Sequence, residues 1–237
     1  GFEAFFGSQN FDYRALAHNL ELGVHVRDRT VGDGLETIFE ADWARADHQP
    51  APTTSAPASR LVASPKDLLP PGVAWDLPAL IALVDGAKTR VRLQALTYRA
   101  GDWTELEDAL VRAAKRGVKV ELLVSDWAKA TKTVGGLQQL ARTPNITIAF
   151  ITIPEYSGGF IPFARVAHAK LLVADGEHGW IGTGNFERDY FYASRNVGVR
   201  VDGVFANQAD AFFERAWKSP YAVAVDPDAS YVAPTTH

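Results

Sequence analysis

The sequence of 237 residues carries a formal net charge of −4 at pH 7, and 47% of its residues are hydrophobic, as in an ordinary globular protein. The acidic balance excludes binding of nucleic acid or anionic membranes through overall positive charge, although a local basic cleft is compatible with it. Cysteine is absent, which excludes disulfides, thiolate catalysis and thiolate metal sites. The longest apolar run, residues 77–84, is too short to span a bilayer.

Apolar periodicity predicts strands and helices that alternate along the chain. In chain order we expect strands at 4–6 and 20–26, a helix at 35–48, a helix at 77–88 and a strand at 90–98. A helix should follow Asp102, which reads as its N-cap with Glu105 as the capping-box partner. The remaining expectations are strands at 118–124, 146–153, 166–173 and 196–201, with helices around 134–141 and at 207–218. Helices between apolar strands predict an α/β fold, built as an α/β/α layered sandwich.

The two ends of the chain resemble each other at an offset of 175 residues. The aligned identities are Gly7, Asn10, Phe11, Gly23, Val24 and Val26 with Gly182, Asn185, Phe186, Gly198, Val199 and Val201. A period this long is not that of a solenoid repeat, so it predicts two homologous lobes. We therefore expect the end of a first lobe at 1–49, a Pro/Ser/Thr-rich linker at 50–60, a second lobe at 61–225 and a tail at 226–237.

The chemistry-bearing residues concentrate in the second lobe. In the expected strand, alternation places His168 and Lys170 on one face. A desolvated ammonium needs a partner, and beside an imidazole it suits an anion such as a phosphate. The turn at 182–185 adds backbone N–H groups, a hydroxyl and an amide. The H-x-K pair alone is more typical of a solvated surface strand, but its spacing to Asp175 and to the glycine turn favours a site.

Residues 168–185 read HAKLLVADGEHGWIGTGN, which is H-x-K, four residues, Asp, six residues and Gly-Thr-x-Asn. This pattern resembles the signature of the phospholipase D superfamily. Five further stretches are similar to its branch of endolysosomal 5′-exonucleases: IFEADW at 38–43, RGVKVELLVSDW at 116–127, IPFARVAHAK at 161–170, DYF at 189–191 and WKSPYA at 217–222. The resemblance implies a mixed sheet and a pseudo-twofold, two-lobe architecture, of which the first lobe is incomplete here.

The resemblance implies a phosphodiester hydrolase that needs neither metal nor cofactor. In that family one histidine attacks phosphorus to form a phosphohistidine, and a second protonates the leaving oxygen and then activates water or an alcohol. By resemblance, His168 is one of the two histidines, and Lys170 and Asn185 hold the phosphoryl oxygens. Thr183 supports the turn, and Asp175 is expected to be a structural ion-pair partner. Which histidine is the nucleophile stays open.

Only the end of the first motif is expected within this chain. At the offset of 175, its H-x-K would fall before residue 1, which leaves Ser8 and Asn10 as its phosphate-binding or supporting residues. Glu21 stands where the family has a carboxylate that orients the first histidine. Its counterpart in the second lobe is the neutral Asn196, which puts the orientation of His168 in question.

We expect the missing histidine to come from outside these residues. Methionine is absent, even at position 1, so the chain is not expected to begin at a translation start. The apolar faces of 20–26 and 35–48 should pack against a segment that precedes Gly1 and carries the first H-x-K. This segment would be a separate chain or upstream sequence of the same chain. A homodimer that brings two copies of His168 face to face is less favoured, because residues 7–11 should already occupy that position.

The leading substrate by resemblance is the end of a single-stranded nucleic acid. The alternatives are a phospholipid hydrolase or phosphatidyl transferase and, outside enzymes, an inactive phosphate-binding lobe. The sequence does not specify the compartment, although the resemblance slightly favours a secreted or luminal protein. The aromatic loop at 155–165 could stack a nucleobase or contact acyl chains, or it could be a packed crossover loop. Asp126 and Trp127 could line the pocket, or Trp127 could belong to the core.

Overall fold

A computed structural model describes residues 3–50 and 53–236. Residues 1–2 of the expected first lobe, 51–52 of the expected linker and 237 of the expected tail lie outside the described residues. The helices are α1 Tyr13–Ala17, α2 Arg29–Ala46, α3 Asp76–Gly86, α4 Glu105–Lys115, α5 Thr131–Ala141, α6 Arg188–Tyr192 and α7 Val204–Trp217. The strands are β1 Glu3–Gly7, β2 Gly23–Arg27, β3 Leu61–Ser64, β4 Ala74–Trp75, β5 Arg90–Ala95, β6 Lys119–Ser125, β7 Ile146–Ile151, β8 Leu171–Ala174, β9 His178–Gly182, β10 Asn196–Asp202 and β11 Ala222–Ala224.

Among the described residues, one large mixed sheet has the strand order β11-β7-β6-β5-β8-β9-β10-β3-β4. The three central strands β5, β6 and β7 are parallel, whereas β8 runs antiparallel to β5 and forms a hairpin with β9. The central strands are buried along nearly their whole length, as expected where helices cover both faces of a sheet. The parallel strands therefore end at one edge, where β8 begins.

Helices lie on both faces of this sheet. Apolar residues of α3, α4 and α5 form one core with one face of the strands. Residues of α2 and α7 form a second core on the other face, together with the two-stranded sheet of β1 and β2. Each fully buried leucine or phenylalanine in such a core contributes about 1.5–3 kcal/mol through the apolar surface it removes from water. The expected α/β/α sandwich with a mixed sheet is confirmed.

The internal repeat is also present in the structure. In the first copy, β1 pairs with β2 so that Gly7 lies opposite Gly23. In the second copy, β9 pairs with β10 so that Gly182 lies opposite Gly198, and both positions are shifted by the same 175 residues. The helices that follow begin at equivalent positions as well, because α1 and α2 correspond to α6 and α7. Strand register, and not only sequence identity, is therefore repeated.

Several sequence expectations need correction, among them the helix expected at 35–48, which begins at Arg29, and the strand expected at 20–26, which begins at Gly23. The strand expected from residue 166 begins only at Leu171, because the backbone of 166–169 pairs with Leu20 instead of the sheet. The N-cap of α4 is Thr104 rather than Asp102, and its side chain makes no cap hydrogen bond. The carboxylate of Asp102 instead accepts a hydrogen bond from Arg99. No helix among the described residues is long and apolar enough to cross a membrane.

Candidate active site

The β8–β9 hairpin brings the H-x-K stretch against the glycine turn. The backbone N–H of Gly182 donates to the carbonyl oxygen of Lys170 at 3.3 Å, and Leu171 lies opposite Ile181 in the hairpin. The four residues between Lys170 and Asp175 are the strand β8, and the six after Asp175 form the turn and β9. The motif spacing is therefore the length of one hairpin, which places Lys170 beside the turn at 182–185.

His168 is held by the first-lobe segment. Its backbone N–H donates to the carbonyl of Leu20 at 2.8 Å. Its side-chain Nδ1 lies 3.0 Å and 3.1 Å from the two carboxylate oxygens of Glu21. The His168 side chain is 15% exposed, whereas that of Glu21 is only 6% exposed. The imidazole is thus fixed by a nearly buried carboxylate, and it keeps a small accessible face.

The ionisation of Glu21 determines which nitrogen of His168 carries a proton. Burial works to raise the pKa of Glu21, but hydrogen bonds with His168 and Ser8 outweigh it, so this pKa lies below its ordinary value. An ionised carboxylate only accepts hydrogen bonds. The Nδ1 of His168 must therefore donate, which leaves Nε2 of the neutral ring as a lone-pair nitrogen.

Two further side chains support Glu21. The hydroxyl of Ser8 donates to Glu21 Oε2 and accepts from the backbone N–H of Leu22. The amide of Asn19 donates from Nδ2 to Glu21 Oε1 at 3.2 Å. Asn19 Oδ1 accepts from the backbone N–H of Arg165 at 3.0 Å, so Asn19 also ties this carboxylate to the loop that leads into His168. Ser8 therefore acts on Glu21 in this structure, and Asn19 is a site residue that the sequence did not indicate.

The expected partner of Glu21 was wrong, and Asn196 does not bear on His168. Glu21 orients His168, the histidine of the second motif, rather than the first-motif histidine. Asn196 does not contact His168; its Oδ1 accepts from the hydroxyl of Thr183 at 3.1 Å, and its Nδ2 donates to the carbonyl of Tyr190 at 2.9 Å. The carboxylate that orients His168 is that of Glu21, in the first-lobe segment. The lack of a carboxylate at position 196 therefore does not affect the orientation of His168.

Lys170, directly before β8, is almost completely buried. Its side chain is 2% exposed, and within the described part of the chain no carboxylate forms an ion pair with it. Burial lowers the pKa of Lys170 to about 7, against the charge of Glu21, which works to raise it. A group in this state costs the fold stability, because desolvation disfavours its charged form. Such a cost is typical of a site that awaits an anion.

Asn185 at the end of the glycine turn is buried beside a tyrosine. Its Nδ2 lies 3.1 Å from the hydroxyl oxygen of Tyr190, while its Oδ1 is buried without a hydrogen-bond partner. The carbonyl of Tyr190 accepts from Asn196 and from the Ser64 hydroxyl. Tyr190 therefore connects the turn to β10 and β3, a role that nothing local in the sequence indicated.

Asp175 and Asn10 do not join this cluster. Asp175 lies at the far end of β8 and accepts hydrogen bonds from the backbone N–H groups of residues 88–90 at 2.8–2.9 Å, so its expected ion pair is replaced by backbone amides. These bonds outweigh its burial and lower the pKa of Asp175 to about 2. Asn10 is exposed and makes no side-chain hydrogen bond to another described residue. The described part of the chain contains no cluster of three His, Asp or Glu side chains that could hold a metal ion.

Replacement of Asp175 should weaken the fold. Asp175→Ala leaves three backbone N–H groups without their acceptor, so we expect the free energy of unfolding at pH 7 to fall by about 1–3 kcal/mol. Because the pKa of Asp175 is lowered, its contribution should be present above about pH 4 and be lost as the pH falls through about 2. Urea denaturation of Asp175→Ala and of the exposed control Asp67→Ala measures this; equal effects of the two changes would contradict it.

Replacement of Lys170 should not weaken the fold. Lys170→Met removes a desolvated ammonium but keeps the length of the side chain, so thermal unfolding at pH 6 should occur at the same or a higher temperature. Since the folded-state pKa is about 7 and lies below the ordinary lysine value, any gain should shrink as the pH rises from 7 towards 10. The exposed Lys132→Met is the control. A clear loss of stability in Lys170→Met at pH 6 would show that the ammonium stabilises the fold.

Comparison with known proteins places the chain in a family. Residues 80–217 match the family model described as cardiolipin synthase, PLD-like domain. Phospholipase D Z of Dictyostelium discoideum is 27% identical over an alignment of 257 positions, which covers 94% of this chain and 61% of that protein. The 5′-3′ exonuclease PLD3 of Rattus norvegicus is 29% identical over an alignment of 272 positions, which covers 96% of this chain and 56% of that protein. The chain thus spans little more than half the length of these relatives.

A solved structure supports the same assignment of fold. The phospholipase D family member Nuc from Salmonella typhimurium superposes with a TM-score of 0.54 at 19% identity, over 70% of this chain and 95% of that one. Its similarity concerns the fold, in agreement with the mixed sheet and its hairpin. The family model covers more than half of the chain and includes the whole motif at 168–185. The chain therefore belongs to the phospholipase D superfamily, near the branch of the PLD3 and PLD4 exonucleases.

Proposed function

We propose that the chain is part of a phosphodiester hydrolase that acts on single-stranded nucleic-acid ends without a metal ion, through a phosphohistidine intermediate. The observation that carries the proposal is the hydrogen bond between His168 and Glu21, because it leaves Nε2 of the imidazole free for attack on phosphorus or for proton transfer. Lys170 lies two residues from His168 and is the buried cation of the site. The hairpin brings Gly182, the start of the turn that ends in Asn185, against Lys170.

The proposed reaction needs two histidines. One imidazole nitrogen forms a bond to phosphorus while the ester oxygen leaves, and the other histidine gives that oxygen its proton. The second histidine then takes a proton from water, which attacks phosphorus and breaks the P–N bond. Lys170, protonated when the anion arrives, stabilises the charge that develops on the phosphoryl oxygens. His168 supplies one of the two imidazoles, in either role.

We propose that the second histidine lies on a segment that packs against the first-lobe part of this chain. That part exposes large apolar side chains, among them Leu16, Phe39 and Trp43, which are 59–71% exposed. Phe5 on β1 is 60% exposed and lines a pocket together with Leu16, while Phe39 and Trp43 stack on each other on α2; exposed apolar side chains grouped in this way are more than the single ones that are normal on a protein. A strand that carries H-x-K and belongs to a preceding or separate segment would cover these side chains and complete the repeat.

Two observations bear on the substrate. The exonuclease names of the relatives PLD3 and PLD4 favour nucleic acid. A phospholipid substrate is the second candidate, since another relative is named phospholipase D and the family model carries the name of cardiolipin synthase. An inactive phosphate-binding lobe is less well supported, because a buried, low-pKa lysine and a carboxylate-bound histidine are retained together.

Both members of the histidine–carboxylate pair should be needed for turnover. We expect His168→Ala to lower kcat on a single-stranded oligonucleotide at least ~100-fold, and Glu21→Gln to lower it about 10- to 100-fold. The assay uses the chain together with the proposed upstream segment. His178→Ala is the matched control, since His178 pairs with Asp202 on the surface, away from the site. Full activity of His168→Ala would remove this residue from the reaction.

Chelation should leave the activity intact. In the proposed reaction the positive charge at phosphorus comes from Lys170 and from protonated histidine, so turnover should persist in an excess of EDTA. Rates are compared before and after dialysis against the chelator, with and without added Mg²⁺ or Zn²⁺. Complete loss of activity that either metal restores would contradict the proposed mechanism.

A further inference from the structure

A pocket of about 260 Å³ lies beside the proposed phosphate site. Asp126 and Trp127 line it from the end of β6, and Ile153 lines it just beyond β7. Phe160 and Arg165 line it from the loop at 155–165. The catalytic residues described above do not line this pocket, which therefore has no role in the reaction as proposed so far.

The pocket and His168 share one edge of the sheet. The strands β5, β6 and β7 are parallel, so their carboxyl ends meet at the same edge. Leu171 at the start of the antiparallel β8 lies opposite Gln94 near the end of β5, which places His168 beyond that edge. Arg165 is three residues before His168, so their Cα atoms lie within about 11 Å of each other. Ligands of α/β sheets bind at this kind of edge.

The lining combines an aromatic wall with unpaired polar groups. Phe160 is 51% exposed, and the indole of Trp127 is half-buried beside it. The Nε of Arg165 is buried and has no hydrogen-bond partner, and the guanidinium forms no ion pair with any described carboxylate. Asp126 is 6% exposed and adds acceptor oxygens. A buried guanidinium donor without a partner is costly, which indicates that a ligand supplies the acceptor.

The backbone of the loop at 155–165 is held in an uncommon conformation at two positions, one of which lines the pocket. Phe163 and Arg165 have φ values of 55° and 66°, in the left-handed region that residues with a Cβ seldom adopt. Hydrogen bonds hold both residues: the N–H of Phe163 donates to the carbonyl of Thr236, and the N–H of Arg165 donates to Asn19. Strained backbone of this kind clusters at ligand-binding sites.

We propose that this pocket binds the nucleobase adjacent to the phosphate at His168. A base presents a flat π-face to Trp127 and Phe160, and its edge carries both acceptors for Arg165 and donors for Asp126. An acyl chain would fit less well, because it would leave the buried Nε–H of Arg165 without an acceptor and would lie against the nearly buried carboxylate of Asp126. The inference rests on the proposed function and names nucleic acid as the substrate.

The test is a binding titration with the 237-residue chain. The probes are phosphorothioate-linked oligothymidylates, which resist hydrolysis, with 2-aminopurine at the 5′ or the 3′ end. We expect the fluorescence of one of them to be quenched by stacking when it binds. Phe160→Ala should weaken its binding about tenfold and abolish the quenching, while the affinity for inorganic phosphate stays unchanged. Phe205→Ala, which removes an aromatic ring of 45% exposure on α7, is the matched control and should behave like the wild type.

The outcomes separate the base pocket from the proposed function. If phosphate and oligonucleotide bind without quenching, or if Phe160→Ala binds as the wild type does, the base pocket is wrong and the phosphate site stands. An oligonucleotide with an abasic terminus that binds as tightly as the intact one also overturns the pocket. If phosphatidylcholine vesicles rather than oligonucleotides bind, and Phe160→Ala weakens that binding, the pocket serves a lipid. If neither phosphate nor oligonucleotide binds, both proposals fall.

Discussion

The geometry of the site depends on the hydrogen bond between Glu21 and His168. The carboxylate is nearly buried and its pKa is lowered, so it accepts a hydrogen bond from Nδ1–H and fixes both the ring plane and the tautomer. Ser8 and Asn19 fix the carboxylate in turn. Because Glu21 belongs to the first-lobe segment and His168 to the second, the histidine is correctly placed only when the two are packed together. The same contact thus joins the two segments of the fold and positions the histidine of the site.

The buried Lys170 lowers the stability of the fold. An ammonium in the apolar interior is destabilising, and burial brings its pKa down to about 7. The opposite end of β8 is well satisfied, because Asp175 accepts hydrogen bonds from three backbone amides there. These contacts hold β8 rigidly from its far end, so that the unpaired lysine stays at the site.

Much of the fold and part of the site could be predicted from the sequence, for identifiable reasons. The offset of 175 residues predicted the repeat because register in paired strands follows side-chain alternation, which a homologous segment preserves. The spacing between Lys170, Asp175 and the glycine turn indicated a site because it matches a known signature, but the strand β9 and the hairpin that it forms with β8 were not predicted. The partner of Glu21 was mispredicted, since the repeat relates equivalent positions within each lobe, whereas the contact crosses between lobes. Asn19 and Tyr190 carry no local signal, because their roles arise only from tertiary packing.

The tautomer of His168 tests the central claim most directly. In the chain labelled with ¹⁵N-histidine, long-range ¹H–¹⁵N correlation spectra near pH 8 distinguish a protonated Nδ1 from a protonated Nε2, and His168→Ala assigns the signals. The cross-lobe pair predicts that Nδ1 of His168 carries the proton and that Glu21→Gln changes the chemical shifts of this ring alone. A ring protonated on Nε2, or one that is insensitive to Glu21→Gln, would contradict the account.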